Sequence, residues 1–232
     1  MSSNKLSCAV ALALLSSSAH AATSQFDYDI YTGILHSDNI TLVNQQPISQ
    51  SVLIPGVDFT WNQQGADLRA NAVGNIEYRD YLGSRFTNQT AVQLTSQALW
   101  TLSPQRLDLS IQDYAGIEPL DSLANDRPSN RQQTNVFIVG PVFHFRLGTA
   151  LHGQAELRYL NSYAEKTDNF NSNRVQGALR VIRDISPTSQ FSLNLDGQKV
   201  DLYEDTIDPN YSRYEAYGHY VSKLTSLDLD LE

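Results

Sequence analysis

Two histidine and serine combinations, His36-Ser37 and His219 with Ser222, are the residues here whose types could serve nucleophilic catalysis. A serine nucleophile needs an imidazole within hydrogen-bond reach and a third group that orients the ring. Strand residues an odd number apart point to opposite faces, so neither combination forms a contact if its segment is extended. The carboxylate pairs Asp27/Asp29 and Asp228/Asp230 do share a face, and Asp-x-Asp in a strand reads as its solvated side. Asn169, Asn171 and Asn173 alternate loosely as in a calcium loop, but Asp168 is out of step and the motif's glycine and terminal glutamate are missing. These residues therefore predict no catalytic group, no metal site and no cofactor.

A larger set of polar residues is ordered by spacing. Arg69, Asn71, Val73, Asn75, Glu77 and Arg79 alternate with Leu68, Ala70, Ala72, Gly74, Ile76 and Tyr78. Gln93, Thr95 and Gln97 alternate with Val92, Leu94, Ala98, Trp100 and Leu102. His152, Gln154, Glu156 and Arg158 alternate with Leu151, Gly153, Ala155, Leu157 and Tyr159, and Arg174, Gln176, Ala178 and Arg180 with Val175, Gly177, Leu179 and Val181. Leu107, Leu109 and Ile111 stand against Asp108, Ser110 and Gln112 in the same way. A period of two means strands with one apolar and one polar face. Arg69, Asn71, Glu77, Arg79, Gln93, Gln97, Gln154, Glu156, Arg158 and Arg180 are thus expected to face a barrel lumen of mixed charge and many amides, suited either to a hydrated pore or to a polar plug.

The elements that must carry these residues are long strands. Several alternating runs extend over about 10 to 14 residues, near what a tilted membrane-crossing strand needs and about twice the usual soluble strand. Short turn-like breaks fall at Asn62 to Gly65, Ser103 to Gln105, Gly148-Thr149, Ser186 to Thr188 and Thr225-Ser226. Between them lie longer polar loops, at His36 to Ser51, Gly83 to Asn88, Gly116 to Gln132, Lys166 to Asn173 and Glu204 to Asn210. Alternation of short turns with long loops is the pattern of an up-and-down barrel.

Tyr78, Tyr81, Tyr114, Tyr159, Tyr163, Tyr203, Tyr211 and Tyr214 lie beside the long loops, and Trp61, Trp100, Phe145 and Phe191 beside the short turns, as two aromatic girdles would. From Asn135 to Leu147 both faces are apolar and Pro141 interrupts the run, which predicts a bulge or unusual pairing there. Around Lys199 the parity fails, with Val200 and Leu202 on the otherwise polar side. A β-propeller would need four short strands in each interval where two long ones are found, and a soluble β-sandwich is the remaining all-β alternative.

Residues 1–21 have the form of a secretory signal peptide. Lys5 supplies the positive start, Cys8 to Leu15 the apolar run, and Ala19-His20-Ala21 a small-x-small cleavage site. Its removal takes away the only cysteine, so the exported chain has no disulfide and no thiolate metal site. The formal charge of −9 becomes one unit more negative without Lys5, and no basic run appears, which excludes a nucleic-acid partner. No later segment is apolar over the roughly 18–20 residues of a helical membrane span.

The words His36-Ser37-Asp38-Asn39-Ile40-Thr41-Leu42, Pro55-Gly56-Val57, Pro128-Ser129-Asn130-Arg131-Gln132-Gln133-Thr134-Asn135-Val136-Phe137 and Gly140-Pro141 occur in order. In these words the chain resembles the EpsL-like outer-membrane β-barrels, which accompany exopolysaccharide operons and exosortase (PEP-CTERM) systems and are longer than this chain. The resemblance implies a Gram-negative outer-membrane protein whose partners are outer-membrane lipid, exopolysaccharide and its export machinery. It carries no catalytic residues with it.

The expectation is an all-β, up-and-down antiparallel transmembrane barrel over residues 22–232 that is not an enzyme and serves as a channel or accessory component in exopolysaccharide export. The competing functions are a lipid- or polysaccharide-modifying enzyme and a structural surface protein. About ten strands are expected. The last run, Leu227 to Glu232, is too short to cross a hydrocarbon layer that needs about 9–11 residues. The barrel is therefore expected to be incomplete at the C-terminus.

Overall fold

In the computed structural model the described residues are 23–83, 85–168, 170–203, 210–224 and 227–231. The expected leader, most of the Glu204 to Asn210 loop and the Thr225-Ser226 turn lie outside them. The chain forms β1 (Thr23–Ser37), β2 (Gln50–Gln64), β3 (Leu68–Leu82), β4 (Gln89–Ser103), β5 (Leu107–Pro119), β6 (Arg131–Arg146), β7 (Leu151–Ala164), β8 (Ser172–Ser186), β9 (Ser189–Leu202), β10 (Tyr211–Leu224) and β11 (Leu227–Leu231). All eleven lie in one sheet in chain order, each antiparallel to the next. The architecture is the expected all-β up-and-down meander. The sheet is not closed, because β1 and β11 stand at its two edges without pairing to each other.

The first ten strands run 13 to 16 residues. At a rise of ~3.3 Å per residue a strand of this length is roughly 45 Å long. One loop boundary differs from the sequence reading. Gly116 to Pro119 continue β5, paired with Thr134 to Arg131, so the long loop there begins only at Leu120. Pro141 has the expected effect, since the β6–β7 ladder runs to Val139↔Tyr159 and resumes at Val142↔Glu156. Beside two of the short turns, between Thr101 and Ser103 and between Asp184 and Ser186, the register shifts by a bulge.

Paired residues share a face, so the ladder fixes every side from β1 to β10. Glycines and aromatics interlock across it. Phe59 lies on its partner Gly74, where an added Cβ would come within 2.4 Å of the ring, and Tyr31 covers Gly56 in the same way on the other face. Packing a large ring over a bare backbone recovers contact area that glycine alone would leave to solvent.

At the long-loop ends the ladder stops and backbone groups need other partners. An asparagine stands immediately before β4, β6, β8 and β10, and its side-chain oxygen accepts a backbone N–H from the end of the preceding strand or, after β5, from two residues beyond it. The bonds are Tyr81 N to Asn88 (3.0 Å), Asp121 N to Asn130 (2.9 Å), Ala164 N to Asn171 (2.5 Å) and Leu202 N to Asn210 (2.7 Å). Asn130 also returns its amide to Asp121 O (2.9 Å). Asn171→Ala, at a position only 4% exposed, is expected to lower the unfolding free energy by about 1–3 kcal/mol by leaving a buried N–H unpaired. Urea unfolding in detergent should show a smaller loss for Asn88→Ala, because water replaces the exposed amide.

Candidate functional site: the polar face of the sheet

The register gathers Arg69, Asn71, Glu77, Arg79, Gln93, Gln97, Gln154, Glu156, Arg158 and Arg180 onto one face. They form local networks. Tyr31 Oη donates to Glu77 Oε1 (3.0 Å) and accepts from Asn75 Nδ2 (2.7 Å), while Arg79 pairs with Glu77 at 3.0 Å. Further along, Gln154 donates to Glu156 (2.8 Å), Arg158 pairs with Glu156, Gln176 donates to Gln198 (2.9 Å), and Arg180 Nε donates to Asn194 Oδ1 (2.7 Å). A hollow of about 220 Å³ opens here, lined by Arg158, Gln176, Asp196, Gln198, Arg213 and Glu215 among others. Most of these cations have an acid two residues away on the same strand face, so the surface alternates in charge over short distances. Such a surface can hydrogen-bond hydroxyl-rich solutes without holding any single ion tightly.

The opposite face is apolar and uncovered. Phe26, Tyr28, Ile30, Ile34, Ile76, Trp100, Phe143, Leu157, Val175, Leu179, Leu193 and Leu195 are all exposed on it, Ile30 to 74% and Ile34 to 79%. Along β8 this face carries Val175, Gly177, Leu179 and Val181 between Asn173 at one end and Arg183 at the other. Of the tyrosines beside the long loops, Tyr78, Tyr159, Tyr163, Tyr203 and Tyr214 have apolar-face parity. Tyr81, Tyr114 and Tyr211 fall on the polar face. Val52 and Val200, 2% and 1% exposed, are apolar side chains packed on the polar face. Val200 and Leu202 thus stand where the failed parity around Lys199 placed them.

Two polar residues on the apolar face are paired with each other. Asn135 Nδ2 donates to Asp113 Oδ1 at 2.6 Å. The sequence reading passed over this pair because Asp113 and Asn135 lie in different strands.

The residue types suited to catalysis are not brought together as expected from their spacing. His36 meets Ser51, its cross-strand partner, with Nδ1 2.9 Å from Oγ, and not the adjacent Ser37. Ser222 contacts Ser189 at 3.0 Å. Asn171 is engaged by the Ala164 N–H and by Asp168 (3.1 Å), so the loop satisfies its own polar groups. Among the described residues no cluster of three His, Cys, Asp or Glu could hold a metal ion.

No family model matches this chain, and neither a curated protein nor a solved structure matches it. Arg180→Ala removes the partner of the buried Asn194 oxygen and is expected to cost about 1 kcal/mol, measured as a fall in the urea midpoint, while Arg69→Ala, exposed and without a bond to Asn194, changes it little.

Proposed function

We propose that this chain is a Gram-negative outer-membrane β-barrel protein, and that its polar face lines a hydrated, non-catalytic route serving exopolysaccharide export or assembly. The observation that carries the reading is the division of one continuous sheet into an uncovered apolar face and an opposed charged face. In water that apolar surface would be far larger than a soluble monomer exposes. Against lipid it is favourable, and the nine residues between Asn173 and Arg183 match the ~9–11 that a tilted strand needs to cross the hydrocarbon layer. The Asp113–Asn135 bond offsets the cost of a carboxyl on that face. In lipid the free edges of β1 and β11 must also be paired, because each unsatisfied backbone group costs several kcal/mol there.

The link to exopolysaccharide rests on the resemblance to EpsL-like barrels, supported by the amide-rich polar face. Loss of the gene should reduce secreted polymer; normal secretion in its absence would remove this support. A lipid- or polysaccharide-modifying enzyme would instead cleave purified polymer or lipid and lose that activity on substitution of His36 or His219.

Two measurements test the membrane reading. Leu94→Arg should cost about 2–4 kcal/mol of stability in lipid, whereas Gln93→Arg, next to it on the polar face, should cost little. Equal tolerance would contradict it. In planar bilayers the protein should conduct ions, and Arg158→Glu with Arg180→Glu should shift the permeability ratio toward cations, read as a change in reversal potential.

A further inference from the structure

The ladder between β4 and β5 ends at Leu94↔Ala115, although β4 begins at Gln89 and β5 continues to Pro119. The two strands therefore part at their long-loop ends. The side chain of Gln133, on β6, reaches across this split and replaces the missing ladder: its Oε1 accepts from Val92 N (2.9 Å), and its Nε2 donates to Val92 O (2.8 Å) and Gly116 O (2.9 Å). The amide bridges the split and satisfies backbone groups that the missing ladder leaves without partners.

Over the split lies a cavity of about 690 Å³, well within the ~300–1,000 Å³ of small-ligand sites. Its lining is basic in an otherwise acidic protein. Arg79, Arg85, Arg131 and Lys166 face it against the single carboxylate of Glu165. Arg79 is paired with Glu77, and Arg131 is held by Asp126 through two bonds of 2.6 Å. The other two cations have no acidic partner among the described residues. Among the described residues Lys166 Nζ donates only to the Arg131 carbonyl (2.6 Å), and Arg85 has neither a hydrogen bond nor an ion pair. Phe86, tilted against Tyr81 with centroids 5.5 Å apart, supplies a flat apolar wall.

We infer that this basin binds a carboxylate-bearing segment of a glycan, with Arg85 and Lys166 engaging the carboxylates and Phe86 lying against a sugar ring. The inference rests on the reading of the chain as an exopolysaccharide protein and names the class of polymer, an acidic one rich in uronate. A guanidinium matches a carboxylate in planar, two-bond geometry, and Lys adds a compact positive charge. The apolar ring face suits the C–H side of a sugar. A lipid phosphate would meet the same cations but has no use for the aromatic wall. Arg79, Gln89 and Gln132 in its lining belong to the polar face, and Ile117, Arg131 and Gln133 to the other, so the basin lies at the long-loop rim where the two faces meet and opens onto the proposed hydrated route through the first three.

The test uses the full exported chain in detergent micelles, titrated with an oligogalacturonate, a neutral malto-oligosaccharide of the same length, and inorganic phosphate. The oligogalacturonate should bind, weakening as salt is raised. The neutral oligomer should bind at least tenfold more weakly, and phosphate should not displace the uronate at equal concentration. Arg85→Gln with Lys166→Gln, both at exposed positions, should reduce uronate affinity at least tenfold while leaving bilayer conductance in place. Equal binding of acidic and neutral oligomers, unchanged affinity in the double variant, or phosphate binding as tightly as uronate would overturn the inference. Conductance without uronate binding would sink the basin alone; uronate binding without conductance would sink the conduit and leave the basin standing.

Discussion

Backbone hydrogen bonding between neighbouring strands is the constraint from which the other features follow. Once each strand pairs antiparallel with the next over about a dozen residues, side chains must alternate between two faces, and a shift of one residue would exchange those faces entirely. Opposed apolar and charged surfaces are thus the consequence of one register maintained through ten strands. The features that break the ladder are answered locally. Pro141 has no N–H to give, and the β6–β7 pairing omits it. Asparagines take over at four loop ends, and Gln133 spans the split between β4 and β5.

That constraint also explains what could be read in the sequence. Alternation is a local property, so the long strands, the short turns and the grouping of Arg69, Asn71, Glu77 and Arg79 were legible in residues 68–79 alone. The same holds for the interruption at Pro141, because proline removes a donor in any ladder. Pairings between distant residues were not legible. Tyr31 reaching Glu77, Asp113 meeting Asn135 and Gln133 bonding to Val92 depend on which strands are neighbours and in what register, and no spacing along the chain encodes that. The asparagine before β4, β6, β8 and β10 was a signal available in the sequence. It passed unread because asparagine is common in any polar loop.

The loop ends and the strand faces carry different parts of the function proposed here. Along the strands several arginines are matched, Arg79 with Glu77, Arg158 with Glu156, Arg180 with Asn194 and Arg213 with Glu215, which tempers the charge of the polar face. At the loop ends Arg85 and Lys166 lack such acids, and the charge is concentrated over the β4–β5 split. Contact between the first and third long loops, where Asn125 Nδ2 donates to Leu42 O (2.7 Å), shows these ends converging across the sheet. An anionic solute approaching an acidic protein would meet its favourable field over the β4–β5 split.

The central claim is that one face of this sheet meets lipid and the other meets water. Cys8 is the only cysteine of the chain, so in a Cys8→Ser background single cysteines can be placed at successive positions of β4 and β8, at Gln93, Leu94, Leu179 and Arg180, in protein reconstituted into lipid vesicles. A water-soluble maleimide should label positions 93 and 180 rapidly and positions 94 and 179 at least tenfold more slowly, giving a period of two along each strand. Labelling at equal rates at all four positions, or faster labelling at 94 and 179, would contradict the claim.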